Sequence, residues 1–268
     1  MRPSAVLKMG GSLITKKDEP LSINRESISN VALAISRFRV RFPHKRLIVV
    51  HGGGSFGHYY AKKFGVSTIS KRASPFQVSK IAESMIRLHT FVLEEFLRRG
   101  IPCMSVMAHE LVSEKLRLSK WGSYRIEHLM RSGLVPITFG NVGTTGSYAY
   151  IISGDKLCEL FTKSLPVDRM IFAMDVDGIY QSNEMNGGVL RSIGDKDRIQ
   201  ANPRRYDVTG GVASKISLGL RIARRGTEVF YVNGNKPERL LKVLSLKDAS
   251  AIRGTIIKPA TRKSHLAY

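Results

Sequence analysis

Apolar positions follow two spacings along the chain, and their alternation predicts the secondary structure. Short continuous apolar runs are typical of strands buried in a sheet. The clearest runs lie at residues 4–9, 46–50, 102–107, 134–139, 169–174, 228–232 and 252–257. Elsewhere, apolar side chains recur every three or four residues, which indicates amphipathic helices. These patterns predict helices over residues 28–42, 75–99, 155–163, 212–225 and 237–244, and a hairpin over residues 140–152.

Strands and helices alternate along the whole sequence. Such alternation implies right-handed βαβ units, whose strands form a mostly parallel sheet that is covered by helices on both faces. We therefore predict an α/β fold in a single domain spanning residues 1–268. Pro166 marks a weak division between an N-terminal half, residues 1–165, and a C-terminal half, residues 166–268.

Composition narrows the class of protein. Hydrophobic residues make up 43% of the 268 positions, but no apolar run reaches the ~20 residues that a membrane helix needs. Residues 1–10 contain one Arg and too short an apolar stretch for a signal peptide. Cys103 and Cys158 lie far apart and match no metal or redox spacing, so we expect buried thiols, no disulfide and a cytoplasmic location.

The charge is strongly positive and unevenly distributed. The formal net charge is +22, which favours anionic partners but does not distinguish nucleic acids, membranes and phosphorylated metabolites. Residues 27–82 contain no Asp or Glu, although they carry many Lys and Arg side chains. A glycine-rich motif lies in the middle of this acid-free stretch.

Two glycine-rich turns follow predicted strands. The sequence Lys-Met-Gly-Gly-Ser ends the first strand at residues 8–12, and His-Gly-Gly-Gly-Ser-Phe-Gly-His follows the second at residues 51–58. Glycines after a strand let backbone N–H groups approach a ligand closely, and a turn that leads into a helix suits phosphate. Lys8 can point into the same crevice, because ligands of open α/β sheets bind beyond the carboxyl ends of the strands.

The second turn also permits other interpretations. Glycines within residues 52–57 satisfy the G-x-G-x-x-G pattern of dinucleotide binding, but the acid expected about 20 positions later is missing, since the next one is Glu83. The chain has no P-loop sequence. His51 and His58 lack neighbouring metal ligands, so we predict no metal site. We expect His51 to be a hydrogen-bonded structural residue and His58 to meet an anionic ligand group.

Three further motifs lie at ends of predicted strands and helices. Asp155, in the Ser-Gly-Asp sequence at residues 153–155, either caps a helix or holds lysine side chains. The sequence Asp-Val-Asp-Gly-Ile-Tyr at residues 175–180 follows a strand and lacks the distal Glu of a calcium loop. Residues 207–215 place Gly-Gly before Lys215 in the first turn of a helix, an end that disfavours a cation unless an anion also binds there.

These five motifs, in this order, resemble those of the amino acid kinase family, and within it the branch that phosphorylates isopentenyl phosphate. Short motifs at residues 232–234 and 254–255 fit as well, so the resemblance spans nearly the whole chain. It implies a three-layer αβα sandwich around a mainly parallel sheet, usually in a homodimer. It also implies that ATP, bound with Mg²⁺ over the C-terminal half, donates its γ-phosphoryl group to isopentenyl phosphate over the N-terminal half, a step of isoprenoid biosynthesis.

The resemblance further implies roles for individual residues. Lys8 and Lys17 would contact the transferred phosphoryl group, Lys215 would hold the ATP phosphates, and Asp155 would orient the lysines. His58 corresponds to the histidine that binds the acceptor phosphate in this branch. The implied acceptor site also contains Gly11, Gly53, Gly54 and Gly154. The implied ATP site contains Lys8, Gly10, Gly11, Ser12, Asp175, Asp177, Gly178, Tyr180, Gly210, Gly211 and Lys215.

An isoprenoid tail requires an apolar pocket. On the helix predicted over residues 75–99, Met85, Ile86 and His89 are candidates for its lining. Met85 can equally pack in the core, and the sequence leaves both possibilities open.

Two positions depart from the family pattern. Asn141 stands where an Asp is common, and Lys156 follows Asp155 where an acid or a small residue is usual. Both changes make this region more positive than the family pattern implies.

Two alternative functions remain open at the level of the sequence. A fosfomycin kinase-like enzyme shares the histidine and resembles the sequence Lys-Asp-Glu-Pro at residues 17–20, but it takes a small polar phosphonate. A nucleic-acid-binding protein would explain the charge and the basic run over residues 37–46. No nucleic-acid-binding motif occurs, however, and the aromatic residues, 8% of the chain, form no stacking pattern. We therefore expect small-molecule substrates, and neither nucleic acid nor a membrane as a partner.

Overall fold

The structure, a computed structural model, describes residues 4–16, 19–69, 71–180, 188–194, 211–245 and 252–259. The strands β1–β10 are Ala5–Met9, Leu47–His51, Lys71–Arg72, Cys103–Ser105, Val135–Phe139, Asn141–Thr145, Tyr148–Ile152, Arg169–Met174, Glu228–Asn233 and Thr255–Ile257. The helices α1–α9 are Gly11–Ile14, Arg25–Arg41, Gly54–Phe64, Pro75–Arg98, Ala108–Leu111, Lys120–Arg131, Gly154–Ser164, Gly211–Ala223 and Pro237–Ser245.

The main sheet has the strand order β10-β9-β8-β1-β2-β5-β4. All neighbours in it are parallel except β10, which pairs antiparallel to β9. Every residue of β1, β2 and β5 is buried, as expected for a parallel sheet with both faces covered. A second sheet has the order β3-β7-β6, and its β6–β7 pair is the hairpin that the sequence predicted.

Helices cover both faces of the main sheet. Side chains of α2, α4 and α9 form one core with Leu7 and Met9 of β1, whereas those of α6, α7 and α8 form the other core with Val6. Successive residues of a strand point to opposite faces, so a single strand contributes to both cores. The predicted three-layer αβα sandwich around a mainly parallel sheet is confirmed.

The ends of the elements differ in places from the sequence predictions. The strand over residues 169–174 has the predicted bounds, and α4, Pro75–Arg98, ends one residue before its predicted end. Helix α3 already begins at Gly54, so His58 lies inside that helix rather than at its head. Helices α1, α5 and α6 were not predicted from the sequence, and neither was the two-residue strand β3, which exists only through pairing with β7.

None of the helices in the described part of the chain combines the length and the apolar character needed to cross a bilayer.

Candidate active site

The two glycine-rich turns touch each other at the carboxyl edge of the sheet. Strands β1 and β2 are paired in register, so the turns after them begin at the same level, and Gly52 N–H donates to the Met9 carbonyl at 2.9 Å. A methyl group on Gly52 would lie 2.8 Å from Gly11 N, and one on Gly11 would lie 2.7 Å from Gly54 Cα. The contact between the two backbones therefore requires glycine on both sides.

Thr15 joins the same two turns through its hydroxyl group. Its Oγ1 donates to the Gly11 carbonyl at 2.8 Å and accepts from Ser55 N–H at 3.0 Å. The sequence motifs gave Thr15 no role in the site. A signal was available, because a threonine that follows a helical turn by four positions commonly bonds back to its carbonyl group.

Lys8 extends from β1 to the beginning of α7, where it pairs with Asp155. Lys8 Nζ lies 2.6 Å from Asp155 Oδ1, and only 7% of Lys8 is exposed. Burial by itself lowers the pKa of Lys8, but the charge of Asp155 and its hydrogen bond outweigh burial, so the pKa is raised. Lys8 is thus a buried side chain that keeps its positive charge.

Ser153, and not Asp155, caps the beginning of α7, which leaves the Asp155 carboxylate to pair with Lys8. Ser153 caps the helix by accepting from Lys156 N–H at 3.1 Å, so Asp155 does not act as the cap. Gly154 is closely packed, since a methyl group on it would lie 3.1 Å from the His51 carbonyl oxygen and 3.4 Å from Lys8 Cε.

Lys215, on α8, acts on the same carboxylate. Desolvation favours the neutral acid of Asp155, but the charge and hydrogen bond of Lys8 and then the charge of Lys215 favour the carboxylate, so the pKa is lowered. Two lysines that are distant in the sequence therefore share one acidic neighbour. Gly211 begins α8, whereas Lys17 and Gly210 lie outside the described residues.

The loop after β8 meets the first glycine turn at Ser12, which follows Gly10 and Gly11. Ser12 Oγ donates to Asp175 Oδ1 at 3.1 Å. This bond places Asp175 beside the turn that carries Lys8, as the predicted grouping of these residues requires.

Asp177, in the same loop, is engaged by protein donors. Arg239 NH1 lies 2.7 Å and Asn233 Nδ2 3.0 Å from Oδ1, and Arg253 Nε lies 2.8 Å from Oδ2. Desolvation raises the pKa of Asp177, but these donors outweigh it and the pKa is lowered. Asp177 therefore anchors its loop to β9 and α9. Nothing in the sequence indicated that these distant donors would bind it.

Gly178 and Tyr180 continue this loop away from Asp175. A methyl group on Gly178 would lie 2.7 Å from Val189 Cγ1 and 2.8 Å from Thr255 Oγ1, and Tyr180 forms a β-bridge with Val189. Their backbones pack against neighbouring segments, which fixes the course of the loop.

His58 is exposed on α3, and no described residue forms a hydrogen bond with its ring. It lies on the helix that begins directly after the second glycine turn.

A mostly apolar cavity of about 350 Å³ lies between α4 and the β6–β7 hairpin. Its lining residues are Val78, Ala82, Ile86, Met107, His109, Val112, Glu114, Asn141, Val142, Gly143, Thr144 and Tyr150. Ile86 belongs to this lining, but Met85 and His89 do not. Met85 is 2% exposed and packs under the second turn, where its Sδ would be 3.1 Å from a methyl group on Gly53.

Comparison with known proteins agrees with this architecture. The sequence profile of the amino acid kinase family matches residues 4–233, and the chain belongs to that family. It is 28% identical to the isopentenyl phosphate kinase of Methanothermobacter thermautotrophicus, with 94% of this chain and 98% of that protein covered. It is 32% identical to the isopentenyl phosphate kinase of Haloferax volcanii, with coverages of 79% and 85%.

A solved structure gives the same result in three dimensions. The crystal structure of Thermoplasma acidophilum isopentenyl phosphate kinase in its product complex superposes with a TM-score of 0.76 at 26% sequence identity. The superposition covers 95% of this chain and 99% of that chain. The resemblance that the five sequence motifs indicated is therefore confirmed over almost the full length.

Proposed function

We propose that this chain transfers the γ-phosphoryl group of ATP to isopentenyl phosphate, which yields isopentenyl diphosphate and ADP. The observation that carries the proposal is the charged pair of Lys8 and Asp155 beside two interlocked glycine turns, in a fold shared with isopentenyl phosphate kinases. The relatives with this activity in their names align over most of their own length, which supports the acceptor.

The electrostatics of the reaction explain why such a site is needed. Phosphoryl transfer depends on positioning and charge neutralisation, and here both reactants are anions. Two unit charges 4 Å apart repel by about 4 kcal/mol at an effective dielectric constant of ~20. A buried ammonium group and N–H groups already oriented by the fold offset this repulsion without reorganising during the reaction.

The roles of the cationic side chains follow from their positions. We assign Lys8 to the transferred phosphoryl group, Lys215 to the ATP phosphates and Asp155 to the orientation of both amines. Lys8 has three N–H donors and gives one to Asp155, which leaves two for phosphate oxygens. Lys17 remains assigned to the phosphoryl group from the sequence resemblance.

The backbone supplies the remaining contacts. We assign Gly10, Gly11 and Ser12 to ATP, and Gly11, Gly53, Gly54 and Gly154 to the acceptor phosphate. Asp175 would lie at the nucleotide side through its bond with Ser12. The rest of that side would be formed by Asp177, Gly178, Tyr180, Gly210 and Gly211. Asp177 would act there through the position of its loop, because its carboxylate oxygens are bonded to protein donors.

The acceptor needs no general base. A phosphate oxygen of isopentenyl phosphate is already deprotonated enough to attack the γ-phosphorus atom. The new P–O bond forms as the bond to the bridging oxygen of ADP breaks, and that oxygen leaves with the electron pair. This agrees with Asp155 being paired with Lys8, an arrangement that suits charge stabilisation and not proton abstraction.

The apolar cavity beside α4 supports an acceptor with a hydrocarbon tail. It adjoins the site through Asn141, which follows Gly140, and a methyl group on Gly140 would lie 2.9 Å from Gly154 N. We place the tail in this cavity against Ile86. Met85 would act from below, by supporting the second glycine turn.

Magnesium and assembly are proposed on the family resemblance. Mg²⁺ prefers oxygen ligands and usually binds through substrate phosphates with one or two carboxylates. Asp155 is already bonded to Lys8, so we propose that the ion enters with the ATP phosphates. We further propose a homodimer that acts in the cytoplasm, with the acceptor over residues 1–165 and ATP over residues 166–268.

The test is a comparison of two acceptors. The purified chain is incubated with MgATP and either isopentenyl phosphate or fosfomycin, and the products are followed by ³¹P NMR. We expect a diphosphate signal from isopentenyl phosphate at a kcat/KM at least ~10²-fold above that for fosfomycin. Preference for fosfomycin would replace the proposal with a phosphonate kinase, and turnover of neither would reject it.

His58→Ala tests the acceptor side of the site. Loss of one hydrogen bond to a charged group is worth about 1.5–3 kcal/mol, so we expect the KM for isopentenyl phosphate to rise about tenfold or more. The KM for ATP should stay unchanged. The control is His44→Ala, because His44 is exposed and precedes β2, at the amino ends of the strands and away from the site. An unchanged acceptor KM would remove His58 from the site.

A further inference from the structure

A hydrogen-bonded chain of three polar side chains, the buried His51 and His89 and the half-buried Ser105, lies directly behind the second glycine turn. His51 Nδ1 is 3.0 Å from the Gly52 carbonyl oxygen, and His51 Nε2 is 3.0 Å from His89 Nδ1. His89 Nε2 is in turn 2.7 Å from Ser105 Oγ. From the sequence, His51 was expected to be a structural residue and His89 was a candidate for lining the pocket of the acceptor tail, and neither interpretation connected the two.

The direction of each hydrogen bond among these three side chains follows from the acceptor at one end, the Gly52 carbonyl. The Gly52 carbonyl can only accept, so a neutral His51 carries its proton on Nδ1 and accepts at Nε2. His89 must then donate from Nδ1 and accept at Nε2, and the Ser105 hydroxyl must donate. Both rings are therefore in the Nδ1–H tautomer, which the surrounding bonds select.

The surroundings keep both imidazoles neutral. His51 is fully buried and His89 is 4% exposed, and both rings stack on Phe139, with centroids 5.1 and 4.2 Å away. Burial lowers the pKa of His51 to about 4 despite its backbone hydrogen bond. Burial together with the neighbouring His51 lowers the pKa of His89 to about 2.

The hydrogen bonds of His51, His89 and Ser105 lead to the peptide group between Gly52 and Gly53 in the second glycine turn. Gly52 N–H is held by the Met9 carbonyl at 2.9 Å, and its carbonyl is held by the His51 ring. The peptide group is planar and trans, so the N–H of Gly53 points opposite to the carbonyl of Gly52, away from the helix layer that contains His89. No oxygen of the described residues accepts a hydrogen bond from Gly53 N–H.

We propose that His51, His89 and Ser105 are positioning residues that fix the Gly52–Gly53 peptide, so that Gly53 N–H points at the acceptor phosphate. The proposal rests on the function proposed above. Without this support a glycine turn has many accessible conformations, and an N–H group preset toward the anion would be lost. Neither histidine transfers a proton in the reaction.

The first test is spectroscopic and independent of activity. In the full-length protein with ¹⁵N-labelled histidine, two-bond ¹H–¹⁵N correlations distinguish the Nδ1–H from the Nε2–H tautomer. We expect two of the seven histidines to be Nδ1–H and to stay so at neutral pH. In Ser105→Ala both tautomers should persist, because the Gly52 carbonyl still selects them, while the Nε2 resonance of His89 shifts on losing its donor. Nε2–H tautomers at these positions in the unaltered protein would overturn the proposal.

The second test is kinetic and uses a matched pair of variants. An Asn side chain places its amide near the position of Nδ1, where it can still donate to the Gly52 carbonyl, whereas Gln places it near Nε2. We expect His51→Gln to lower kcat/KM for isopentenyl phosphate about tenfold more than His51→Asn, with the KM for ATP unchanged. Equal losses, or a greater loss in His51→Asn, would contradict the proposal.

Ser105→Ala removes only the far donor and is the mildest variant. We expect it to reduce acceptor kcat/KM about tenfold while the folded protein retains its circular dichroism spectrum. Thr227→Val is the control, because the buried Thr227 likewise donates a hydrogen bond from its hydroxyl group, to the Val167 carbonyl at 3.1 Å, and it precedes β9 at the amino ends of the strands. If Ser105→Ala and Thr227→Val lose stability equally and keep full kcat/KM, the hydrogen bonds of His51, His89 and Ser105 serve only the stability of the fold.

These tests separate the proposal from the proposed function. If the unaltered protein does not phosphorylate isopentenyl phosphate, the proposed function fails, and the positioning proposal, which rests on it, fails as well. If the protein is active and the tautomers are Nε2–H, only the positioning proposal fails.

Discussion

Lys8 shows how one buried charge can serve both folding and chemistry. A lysine that is 7% exposed would ordinarily lose its proton or unfold its surroundings, but Asp155 at 2.6 Å keeps it charged. Removing either partner would leave the remaining charge partly buried without its counter-charge. The two residues must therefore be considered as a unit.

Lys8→Met replaces the amine by an apolar side chain of similar length. We expect kcat to fall by at least ~10²-fold, because a charge partner of the transition state is lost. Steady-state kinetics with ATP and isopentenyl phosphate measure this. Lys45→Met is the control, since Lys45 precedes β2 at the other edge of the sheet. Near-normal turnover of Lys8→Met would refute the role of Lys8.

The same pair predicts a pH dependence of stability. Folding lowers the pKa of Asp155 below its ordinary value of 3.8. The contribution of Asp155 to the free energy of unfolding is therefore complete above pH 3.8 and is lost as pH falls through the lowered pKa. The pKa of Lys8 is raised from 10.5, so its contribution is complete below that value and is lost as pH rises through the raised pKa. The pair therefore contributes fully at neutral pH.

Asp155→Asn should make this visible in urea unfolding. We expect the variant to be less stable than the unaltered protein at pH 7, and the difference to shrink below pH 3.8. Glu94→Gln, at an exposed position of α4, controls for general charge effects. A difference that stays constant down to the acid transition would show that the Lys8–Asp155 pair does not stabilise the fold.

At the scale of elements, the site depends on the contact between two turns. Each turn follows a strand of the parallel sheet, and pairing of β1 with β2 brings them together. Gly54 has a φ of +47°, and a methyl group on it would lie 2.6 Å from the Gly11 carbonyl oxygen and 2.8 Å from Thr15 Cγ2. Backbone conformation and lack of space therefore both demand glycine.

Gly54→Ala and Gly146→Ala separate these two demands. Gly146 has a φ of +57° with no atom near the added methyl group, so its variant should lose about 1–2 kcal/mol from backbone strain alone. Gly54→Ala should lose about 1–3 kcal/mol more from overpacking, together with most activity. Denaturant unfolding and kcat measure the two effects. Equal stability losses would mean that the turns can move apart without cost.

At the scale of the whole molecule, the dominant property is the net charge of +22. Only one Asp or Glu is present for about every two Lys or Arg residues, since the counts are 21 and 43. A positive field of this size attracts small anions over distances longer than any single contact. It is expected to accelerate the encounter with both substrates.

Ionic strength tests this effect. Raising it from about 0.01 M to about 0.15 M shortens the Debye length from ~30 to ~8 Å. We expect kcat/KM for isopentenyl phosphate to fall several-fold while kcat changes little, because Lys8, which we assign to the transferred phosphoryl group, is buried and therefore little screened by salt. Sucrose at matched osmolality is the control. If kcat/KM does not depend on salt, the surface charge has another purpose.

The motifs show how far sequence reasoning reached at this site. Lys8, Asp155 and the two glycine turns lie in motifs at the ends of strands and helices, and the family resemblance of those motifs implied their roles. Thr15 has a local signal for its bond to Gly11 but none for its bond to Ser55, and Ser105 has none, because a hydroxyl group does not reveal a partner that is distant in the sequence. The partners of Asp177 were missed for the same reason, since Asn233 and Arg239 lie far along the chain.

By itself the sequence determined the order of strands and helices, the αβα class and the family, because periodicity and glycine motifs are local properties. The family resemblance implied that Asp155 orients the lysines, but only the tertiary structure decided the contacts themselves: Lys8 Nζ with Asp155 Oδ1, and His51 with His89 and Ser105. These contacts arise from the order of strands in the sheet, which is set by the packing of both cores. No window of residues contains that information.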